Sequence, residues 1–298
     1  MTVFITGGTG ALGERLVDRL HRENYHLIVL TRRKPAQLSA NNVNYIVGDL
    51  TDPETYAFVF KKEQIDAVIH MAAVTHTNEG ALYYRINTQG TEMLVNLAEH
   101  SGSKRFIFMS TRAVAVDGGD YSNSKRLAEE AVMKSSLDWV ILRPAEIYGL
   151  SKGEAIGRLL SLIEKYPVIP VVGGGSCTFA PVHVDDVIEA IVRLLERQTC
   201  RRKIYNLSGP EEITCFDLIR KFENIRKVRR FAVHIPVCTM KIVAELISWG
   251  GSKHPFIVKD QIPRLLSRKS ADISLARQDL DFNPAPIDGY IREVASIH

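Results

Sequence analysis

The chain opens with TVFITGGTGALG (residues 2–13), where a run of apolar and β-branched residues leads directly into a glycine-rich turn. Glycine at positions 7, 10 and 13 permits a tight turn, close approach of the backbone to a pyrophosphate and close helix-to-strand packing. The residues that follow form one apolar helical face, made of Leu12, Leu16, Val17 and Leu20. This strand–turn–helix order predicts a dinucleotide-binding loop, with the phosphates at the N-terminus of the first helix.

Short apolar segments recur through the first 150 residues, and each is followed by a helical or turn segment. They are TVFIT, HLIVLT, VNYIVG, DAVIHM, RFIFMS and DWVILR. This alternation predicts βαβ units and a parallel sheet with helices on both faces. The sequence therefore predicts an α/β fold of the Rossmann-like, doubly wound type.

The composition changes after Gly149. A Gly/Pro-rich passage, YPVIPVVGGGS (166–176), precedes strand-like FAPVHV, helix-like DDVIEAIVRLLER and a further strand in KIYNLSG. From about residue 210, helical segments mix with scattered prolines. We expect a dinucleotide-binding domain of residues 1–150, rejoined by about 181–208. Residues 151–180 and 209–298 are expected to form a smaller, mostly helical C-terminal substrate-binding lobe.

The overall composition is that of a soluble globular protein, with 298 residues, 45% of them hydrophobic and 24% charged. No apolar run approaches the roughly 20 residues that span a bilayer, and MTVFITGG enters a strand pattern without a basic region or cleavage site. We expect a cytoplasmic protein with no membrane partner. The cysteines are widely spaced and form no C-x-x-C pair, so we expect neither a metal site nor a disulfide framework.

The formal net charge of +4 is small for this length. Two basic clusters, RQTCRRK (197–203) and IRKVRR (225–230), could contact phosphates or a polyanion. We favour the interpretation that they are solvated surface, and we expect no nucleic-acid partner.

The second predicted strand ends at Thr31-Arg32-Arg33-Lys34, where an NAD-binding protein usually carries Asp or Glu to hold the ribose 2′-hydroxyl. Adjacent guanidinium groups can instead clamp a 2′-phosphate. The sequence thus favours NADP(H), while NAD(H) stays possible if Arg32 and Arg33 are solvated loop residues. Asp49 could accept a hydrogen bond from the adenine amino group, although Asp before a helix is also an ordinary cap.

In this order the motifs resemble the extended short-chain dehydrogenase/reductase family, which includes NAD(P)-dependent nucleotide-sugar epimerases, dehydratases and reductases. The resemblance covers nearly the whole chain. Its matching elements are TGGTGALG (6–13), GDL (48–50), HMAA (70–73), INTQGTEMLVNLAE (86–99), RFIFMST (105–111), YSNSK (121–125), LRPAEIYG (142–149), VHVDDV (182–187) and YNLSG (205–209).

The resemblance implies a catalytic trio of Thr111, Tyr121 and Lys125. Tyrosine has an unperturbed pKa near 10, and an ammonium group one helical turn away would lower it toward neutrality. The resemblance also implies that Asn87 is structural or a proton relay. The implied cofactor-binding residues are Gly7, Thr9, Gly10, Ala11, Leu12, Gly13, Thr31, Arg32, Arg33, Asp49, Leu50, Met71, Ala72, Ala73, Tyr121, Lys125 and Pro144.

Three departures from the family pattern narrow the function. Only ten positions separate Thr111 from Tyr121, which leaves fewer contacts to a sugar. Arg112-Ala113 replaces the acidic pair of the dehydratases, so 4,6-dehydration is not expected. Phe179-Ala180 stands where an arginine often grips a nucleotide diphosphate, and the alternatives are the arginines at 229, 230, 264 and 268. We interpret His183 as a structural hydrogen-bonding residue.

The leading hypothesis is an NADP(H)-dependent oxidoreductase acting on a secondary alcohol or ketone of a nucleotide sugar, with a reductase preferred over an epimerase. By analogy with the family we expect a homodimer. The alternative is a non-catalytic NADPH-binding accessory or assembly subunit, similar to those of respiratory complex I. The intact pair of Tyr121 and Lys125 argues against that alternative.

Overall fold

A computed structural model describes residues 1–35, 41–114, 118–150, 154–172, 178–236, 239 and 271–296 of the chain. Its strands, in chain order, are β1 Thr2–Thr6, β2 His26–Thr31, β3 Val43–Val47, β4 Ala67–His70, β5 Arg105–Met109, β6 Asp138–Pro144, β7 Ile147–Tyr148, β8 Val168–Val172, β9 Thr178–Phe179, β10 Val182–His183, β11 Lys203–Leu207, β12 Ile213–Thr214 and β13 Phe231–Ile235.

Helices alternate with most of these strands along the chain. They are α1 Ala11–Arg22, α2 Ala57–Lys62, α3 Gly80–Tyr83, α4 Gly90–His100, α5 Gly119–Lys134, α6 Ala155–Lys165, α7 Val184–Glu196, α8 Cys215–Arg226, α9 Ser274–Leu280 and α10 Asp288–Ser296. A 3-10 turn covers Pro53–Thr55, and a π-helical stretch, Tyr84–Gln89, joins α3 to α4.

The central sheet has seven parallel strands in the order β11-β6-β5-β4-β1-β2-β3. The strand order reverses between β1 and β4, because the chain runs outward from β1 to β3 and then returns to the other side of β1. In sheets of this kind the crevice beyond the carboxyl ends of the strands at the reversal is where ligands bind. The predicted doubly wound α/β fold is confirmed.

Alternating side chains divide the sheet into two buried faces. Val3 and Ile5 of β1 pack in a first core with α1, α7 and α9, whereas Phe4 packs in a second core with α2, α4 and α5. Both faces are therefore covered, as expected for a parallel sheet.

The part of the chain that follows β6 forms a third core, mainly from helices. Leu160 of α6, Phe222 of α8 and Ile291 of α10 are fully buried there. Lys221 of α8 also contacts Asp288 of α10 at 3.2 Å. These contacts give the smaller, mostly helical C-terminal part that the sequence predicts.

The six predicted N-terminal strands are confirmed, and so are the strand in KIYNLSG and the helix in DDVIEAIVRLLER. FAPVHV differs from the single strand expected. It is divided into β9, which pairs with β12, and β10, which pairs with β7. The break falls at Pro181, which has no N–H to donate to a ladder.

Several basic side chains of the two clusters form ion pairs or hydrogen bonds within the protein. In the first, Lys203 lies 2.6 Å from Asp279 and Arg197 pairs with Asp281. In the second, Arg226 lies 3.2 Å from Glu164 and Arg230 donates to the Glu164 carbonyl oxygen. The arginines therefore connect helices and strands, in addition to presenting charge to solvent.

Two features are absent from the residues that the structure describes. Within them no helix combines the length and the apolar character needed to cross a bilayer. The same residues contain no group of three or more His, Cys, Asp or Glu side chains that could hold a metal ion.

Candidate active site

The glycine-rich turn has the geometry of a phosphate cradle. Gly7 adopts φ +75°, and a Cβ atom there would lie 2.7 Å from the Ala72 nitrogen. A Cβ atom on Gly13 would lie 2.1 Å from the Gly7 oxygen. Gly10 is the N-cap of α1 and has no side chain to occupy the amide donors of the first turn. Only glycine at positions 7 and 13 fits this backbone, which leaves the helix N-terminus open to a pyrophosphate.

The segment after β4 runs directly past this turn. The Met71 nitrogen donates to the Thr6 oxygen at 3.1 Å, and the Ala72 nitrogen donates to Thr6 Oγ1 at 3.2 Å. Met71, Ala72 and Ala73 are half-buried, whereas His70 is fully buried. The predicted cofactor-binding residues of β1 and β4 therefore lie together at the strand reversal.

The end of β2 borders a cleft of about 740 Å³, which also reaches the glycine turn through Thr9. Thr31 is buried, and its hydroxyl donates to the Arg33 carbonyl oxygen at 2.8 Å. The Arg32 and Arg33 side chains are exposed and line the cleft together with Glu14. This arrangement brings two exposed guanidinium groups to the cleft at the end of β2.

Asp49 forms a local hydrogen-bonded turn and does not cap a helix, because Asp52 is the N-cap of the 3-10 turn that follows. Its Oδ1 accepts hydrogen bonds from the backbone nitrogen and the hydroxyl of Thr51, both at 2.8 Å. The hydrogen bond from the Thr51 backbone is the main cause that lowers the pKa of Asp49, and the charges of Arg85 and Arg32 act in the same direction. Leu50 is buried next to it, against Gly90.

Thr111 lies just beyond the carboxyl end of β5, and Tyr121 and Lys125 lie in the N-terminal half of α5, the helix that follows. Thr111 is two residues beyond β5, and its Oγ1 accepts from the Ala113 nitrogen at 3.1 Å. Tyr121 and Lys125 stand one turn apart in α5, and their exposed fractions are 7% and 2%. The Tyr121 ring packs edge-on against Tyr83, with 5.8 Å between ring centroids. A small part of Tyr121 thus reaches the surface.

The ammonium group of Lys125 contacts residues of β5 and is almost completely shielded from solvent. Its Nζ donates to the Met109 oxygen at 2.7 Å and lies 4.0 Å from the centre of the Phe108 ring. Burial lowers the pKa of Lys125 to about 7, while the charge of Glu129 acts in the opposite direction. The ammonium group is therefore near its titration point at neutral pH.

Asn87 lies in the π-helical stretch and fixes the loop that follows β4. Its Oδ1 accepts from the Val74 nitrogen at 2.8 Å, and its Nδ2 donates to the Val74 oxygen and to Ser124 Oγ. π-helical turns are rare and are frequently found at functional sites. These contacts make Asn87 a link between the β4 loop and α5.

The residues that depart from the family pattern have structural partners. Arg112 is 2% exposed and lies 3.3 Å from both Glu146 and Glu212. The Arg112 nitrogen also donates to the Pro144 oxygen at 2.9 Å. Arg112 therefore links the segment after β5 to the segments after β6 and β11, with a buried guanidinium group paired to two partly exposed carboxylates.

His183 caps α7, since its Nδ1 accepts from the Asp185 nitrogen at 3.2 Å. The interpretation of His183 as a structural hydrogen-bonding residue is confirmed. Ala180 is buried next to Phe179, and Arg230 is engaged by the carbonyl oxygens of Ile163 and Glu164. Arg264 and Arg268 lie outside the described residues.

Sequence reasoning missed Tyr83, Glu129 and Arg143. Tyr83 packs on Tyr121, and Glu129 is buried next to Lys125 with Arg143 as its partner. The spacing of four residues from Lys125 to Glu129 was the available signal, because residues four apart share a helix face.

Comparison with known proteins gives a consistent pattern. The sequence model of the "NAD dependent epimerase/dehydratase family" matches residues 3–208. The chain is 24% identical to UDP-glucose 4-epimerase of Vibrio cholerae, over 95% of this chain and 90% of that protein. It is 30% identical to ceramide reductase of Caulobacter vibrioides, over 78% and 70%.

A third relative is mitochondrial. The chain is 29% identical to NADH dehydrogenase [ubiquinone] 1 alpha subcomplex subunit 9 of Arabidopsis thaliana, over 97% of this chain and 75% of that protein. Among solved structures, UDP-glucose 4-epimerase of Thermotoga maritima with UDP-glucose superposes with a TM-score of 0.76 at 20% identity, covering 99% of this chain and 98% of that one. The structural likeness shows a shared fold.

Proposed function

The chain belongs to the NAD dependent epimerase/dehydratase family, within the extended short-chain dehydrogenases/reductases, and from this we propose that it transfers hydride at a secondary alcohol or ketone of a nucleotide sugar. We propose an NADP(H)-preferring enzyme that acts as a reductase rather than an epimerase. The observation that carries the proposal is that Tyr121 and Lys125 lie one helical turn apart in α5. This helix follows β5, a strand of the sheet that also holds the glycine turn.

The residues present fit a dinucleotide. A side chain at Gly7 or Gly13 would fill the turn, and the backbone amides at the start of α1 are directed to where phosphates would lie. A bound nicotinamide supplies the hydride donor or acceptor. We propose that the turn, Asp49, Leu50, the 71–73 segment and Pro144 bind the cofactor.

In this mechanism Tyr121 moves the proton. It takes the proton of the substrate hydroxyl in the oxidising direction and returns it to the carbonyl oxygen in the reducing direction. Thr111 donates a hydrogen bond to the same oxygen. Lys125 favours the phenolate form of Tyr121 by its charge, and its low pKa allows that charge to respond to pH near neutrality.

A cleft formed by residues that follow β11 could hold a polar substrate in this proposal. A cleft of about 640 Å³ is lined by residues 209–212 on one side and by residues of the 271–278 segment on the other. Glu212 lines this cleft and also contacts Arg112, the neighbour of Thr111. We propose that residues 151–180 and 209–298 form the substrate-binding lobe, beside a dinucleotide-binding domain of 1–150 and 181–208. A homodimer and a cytoplasmic location belong to the same proposal.

The test of the catalytic proposal is Tyr121→Phe. Turnover should fall by about 10²- to 10⁴-fold while cofactor binding is kept, because only the proton-transferring hydroxyl is lost. Nicotinamide absorbance is followed with a panel of sugar nucleotides and, given the similarity to ceramide reductase, a ceramide. Tyr166→Phe, at an exposed tyrosine of the C-terminal part, is the control. Unchanged turnover in Tyr121→Phe would remove Tyr121 from the mechanism.

The cofactor preference is tested at the end of β2. Replacing Arg32 and Arg33 with Ala should weaken NADPH binding roughly 10- to 100-fold per arginine, since a hydrogen bond to a charged group contributes about 1.5–3 kcal/mol. NADH binding should change little. Arg22→Ala, an exposed arginine at the end of α1, is the control. Equal loss of affinity for NADH and NADPH would contradict the proposed 2′-phosphate contact.

The alternative is a non-catalytic NADPH-binding accessory or assembly subunit. The observations that favour it are the 7% and 2% exposed fractions of Tyr121 and Lys125, and the similarity to the NADH dehydrogenase subunit. Purified protein that retains cofactor, turns over no substrate of the panel and functions equally well as Tyr121→Phe would support this role.

A further inference from the structure

We propose that Glu129, held in place by Arg143, is a positioning residue that keeps Lys125 charged beside Tyr121. This inference rests on the proposed function of the Tyr121 and Lys125 pair and extends it to two residues outside the catalytic trio. The two residues belong to different elements, α5 and β6, and meet behind the candidate active site.

Glu129 continues a buried line along α5. Tyr121, Lys125 and Glu129 are spaced by four residues, which puts them on one face of the helix. Their exposed fractions are 7%, 2% and 1%. A lysine and a glutamate with so little exposure are rare in proteins unless paired. The line therefore places a buried acid one turn behind the buried ammonium group.

The groups around Lys125 leave Glu129 as its source of negative charge. From β5, the Met109 oxygen and the Phe108 ring contact Nζ at 2.7 Å and 4.0 Å. From β4, His70 stacks on Phe108, and burial together with the Lys125 charge lowers the pKa of His70 to about 3, so it is neutral. Among the described residues, Glu129 is the acid whose charge raises the pKa of Lys125.

Arg143 holds the Glu129 carboxylate in a fixed orientation. Arg143 Nε donates to Glu129 Oε1 at 2.9 Å, and Nη2 donates to Oε2, so both carboxylate oxygens are engaged. The same contact is the main cause that raises the pKa of Arg143. Arg143 thus acts on Lys125 through Glu129.

Two opposing effects act on the pKa of Lys125. Burial disfavours the ammonium form, and the Glu129 charge opposes this effect. Without that charge, Lys125 would lose its proton at a lower pH. Tyr121 would then lose the neighbouring charge that favours phenolate, and its proton transfer would require a higher pH.

The test compares Glu129→Gln with Glu130→Gln. Glu130 is the adjacent residue of the same helix, but it is half-buried and pairs with Arg126. The ionisation of Lys125 is followed in the cofactor-free protein by NMR of 13C-labelled lysine, with the signal identified by its loss in Lys125→Arg. Glu129→Gln should lower the Lys125 titration by about one pH unit or more, whereas Glu130→Gln should leave it unchanged.

Activity provides a second readout. In the oxidising direction, the acidic limb of the kcat/KM profile should move to higher pH in Glu129→Gln, with about tenfold lower kcat/KM on that limb for a shift of one unit. Glu129→Asp, which keeps the charge, should restore most of the wild-type profile. A role in packing alone would lower the amount of folded protein without moving the profile.

Arg143→Met provides a second variant if Glu129→Gln does not fold. It removes the two contacts that hold Glu129 in place, so the Lys125 titration should differ from that of the wild type. Wild-type Lys125 titration in both variants would overturn the inference. If the wild-type protein turns over no substrate, the proposed function fails, but the NMR titration still decides the role of Glu129.

Discussion

His70 lies at the end of β4 with its side chain fully buried and both ring nitrogens engaged. Nδ1 lies 2.6 Å from Thr6 Oγ1 and Nε2 lies 2.9 Å from Thr91 Oγ1. The Thr91 hydroxyl donates in turn to the backbone carbonyl oxygen of Asn87. This network joins the strand before the glycine turn to the helix that carries Asn87, so a single buried imidazole connects two parts of the candidate site.

This histidine makes the stability depend on pH. Its pKa falls from the ordinary 6.5 to about 3 in the folded protein, mainly because of burial. The unfolded chain therefore binds a proton more readily, and stability is lost as pH falls below 6.5. Between pH 7 and pH 5, His70 should account for a loss of about 2 kcal/mol, at about 1.4 kcal/mol per pH unit below 6.5.

Urea unfolding of the wild type and His70→Gln at the two pH values measures this contribution. The variant should lose less stability than the wild type between pH 7 and pH 5. The control is His100→Gln, at an exposed histidine of α4, which should keep the wild-type difference. An identical pH dependence in His70→Gln and the wild type would show that the buried imidazole is not the cause.

At the scale of the element, the position of α1 depends on Gly13 as much as on the apolar face of the helix. Leu16, Val17 and Leu20 are buried in the first core, as the helical spacing predicts. Gly13 allows the first turn of α1 to contact the loop that precedes it, with no room for a side chain. The helix N-terminus is thereby held against the carboxyl end of β1, where the pyrophosphate would bind.

Gly13→Ala should therefore destabilise the protein by about 1–3 kcal/mol, as overpacking does. Dinucleotide affinity should fall at the same time, because the Gly7 and Gly8 backbone must move away from the new Cβ atom. Thermal unfolding and cofactor titration measure both effects. Gly289→Ala in α10 is the matched control, since no described atom lies within 4 Å of its Cβ position. That variant should gain up to about 1 kcal/mol from helix propensity.

At the scale of the whole molecule, the segment that contains α9 returns to the central sheet. Ile273, Ala276, Leu280 and Phe282 are buried in the first core together with residues of β1 and α7. Asp279 accepts from the Lys203 ammonium group at 2.6 Å and from the Tyr205 hydroxyl at 2.8 Å. The first core is therefore completed by residues that lie more than 250 positions after β1.

Leu280→Ala tests this dependence. Because Leu280 is fully buried, the substitution should cost about 2–5 kcal/mol. Leu275, in the same helix but exposed, provides the control, and Leu275→Ala should change stability by about 0.5 kcal/mol or less. Urea unfolding measures both variants. A cost in Leu280→Ala no larger than in Leu275→Ala would contradict the role of α9 in the first core.

Local patterns were sufficient to predict the seven strands of the central sheet. These strands, the glycine turn and the first helix each follow from residues adjacent in the chain, and the structure has them where expected. The short strands β7 and β12 and the paired strands β8 and β13 were not predicted. FAPVHV shows the limit of this reasoning. Its residues have strand character, but Pro181 interrupts the ladder and the two halves pair with different strands.

The sequence by itself determined the doubly wound sheet and the family, because backbone conformation and apolar periodicity are encoded by near neighbours in the chain. Only the tertiary structure decided the burial of Lys125, its contact with the Met109 oxygen, the Arg143 partner of Glu129 and the ion pairs of Arg112. The energy of a charge depends on burial and on the charges within a few ångströms. Those neighbours come from strands and helices far apart in the chain.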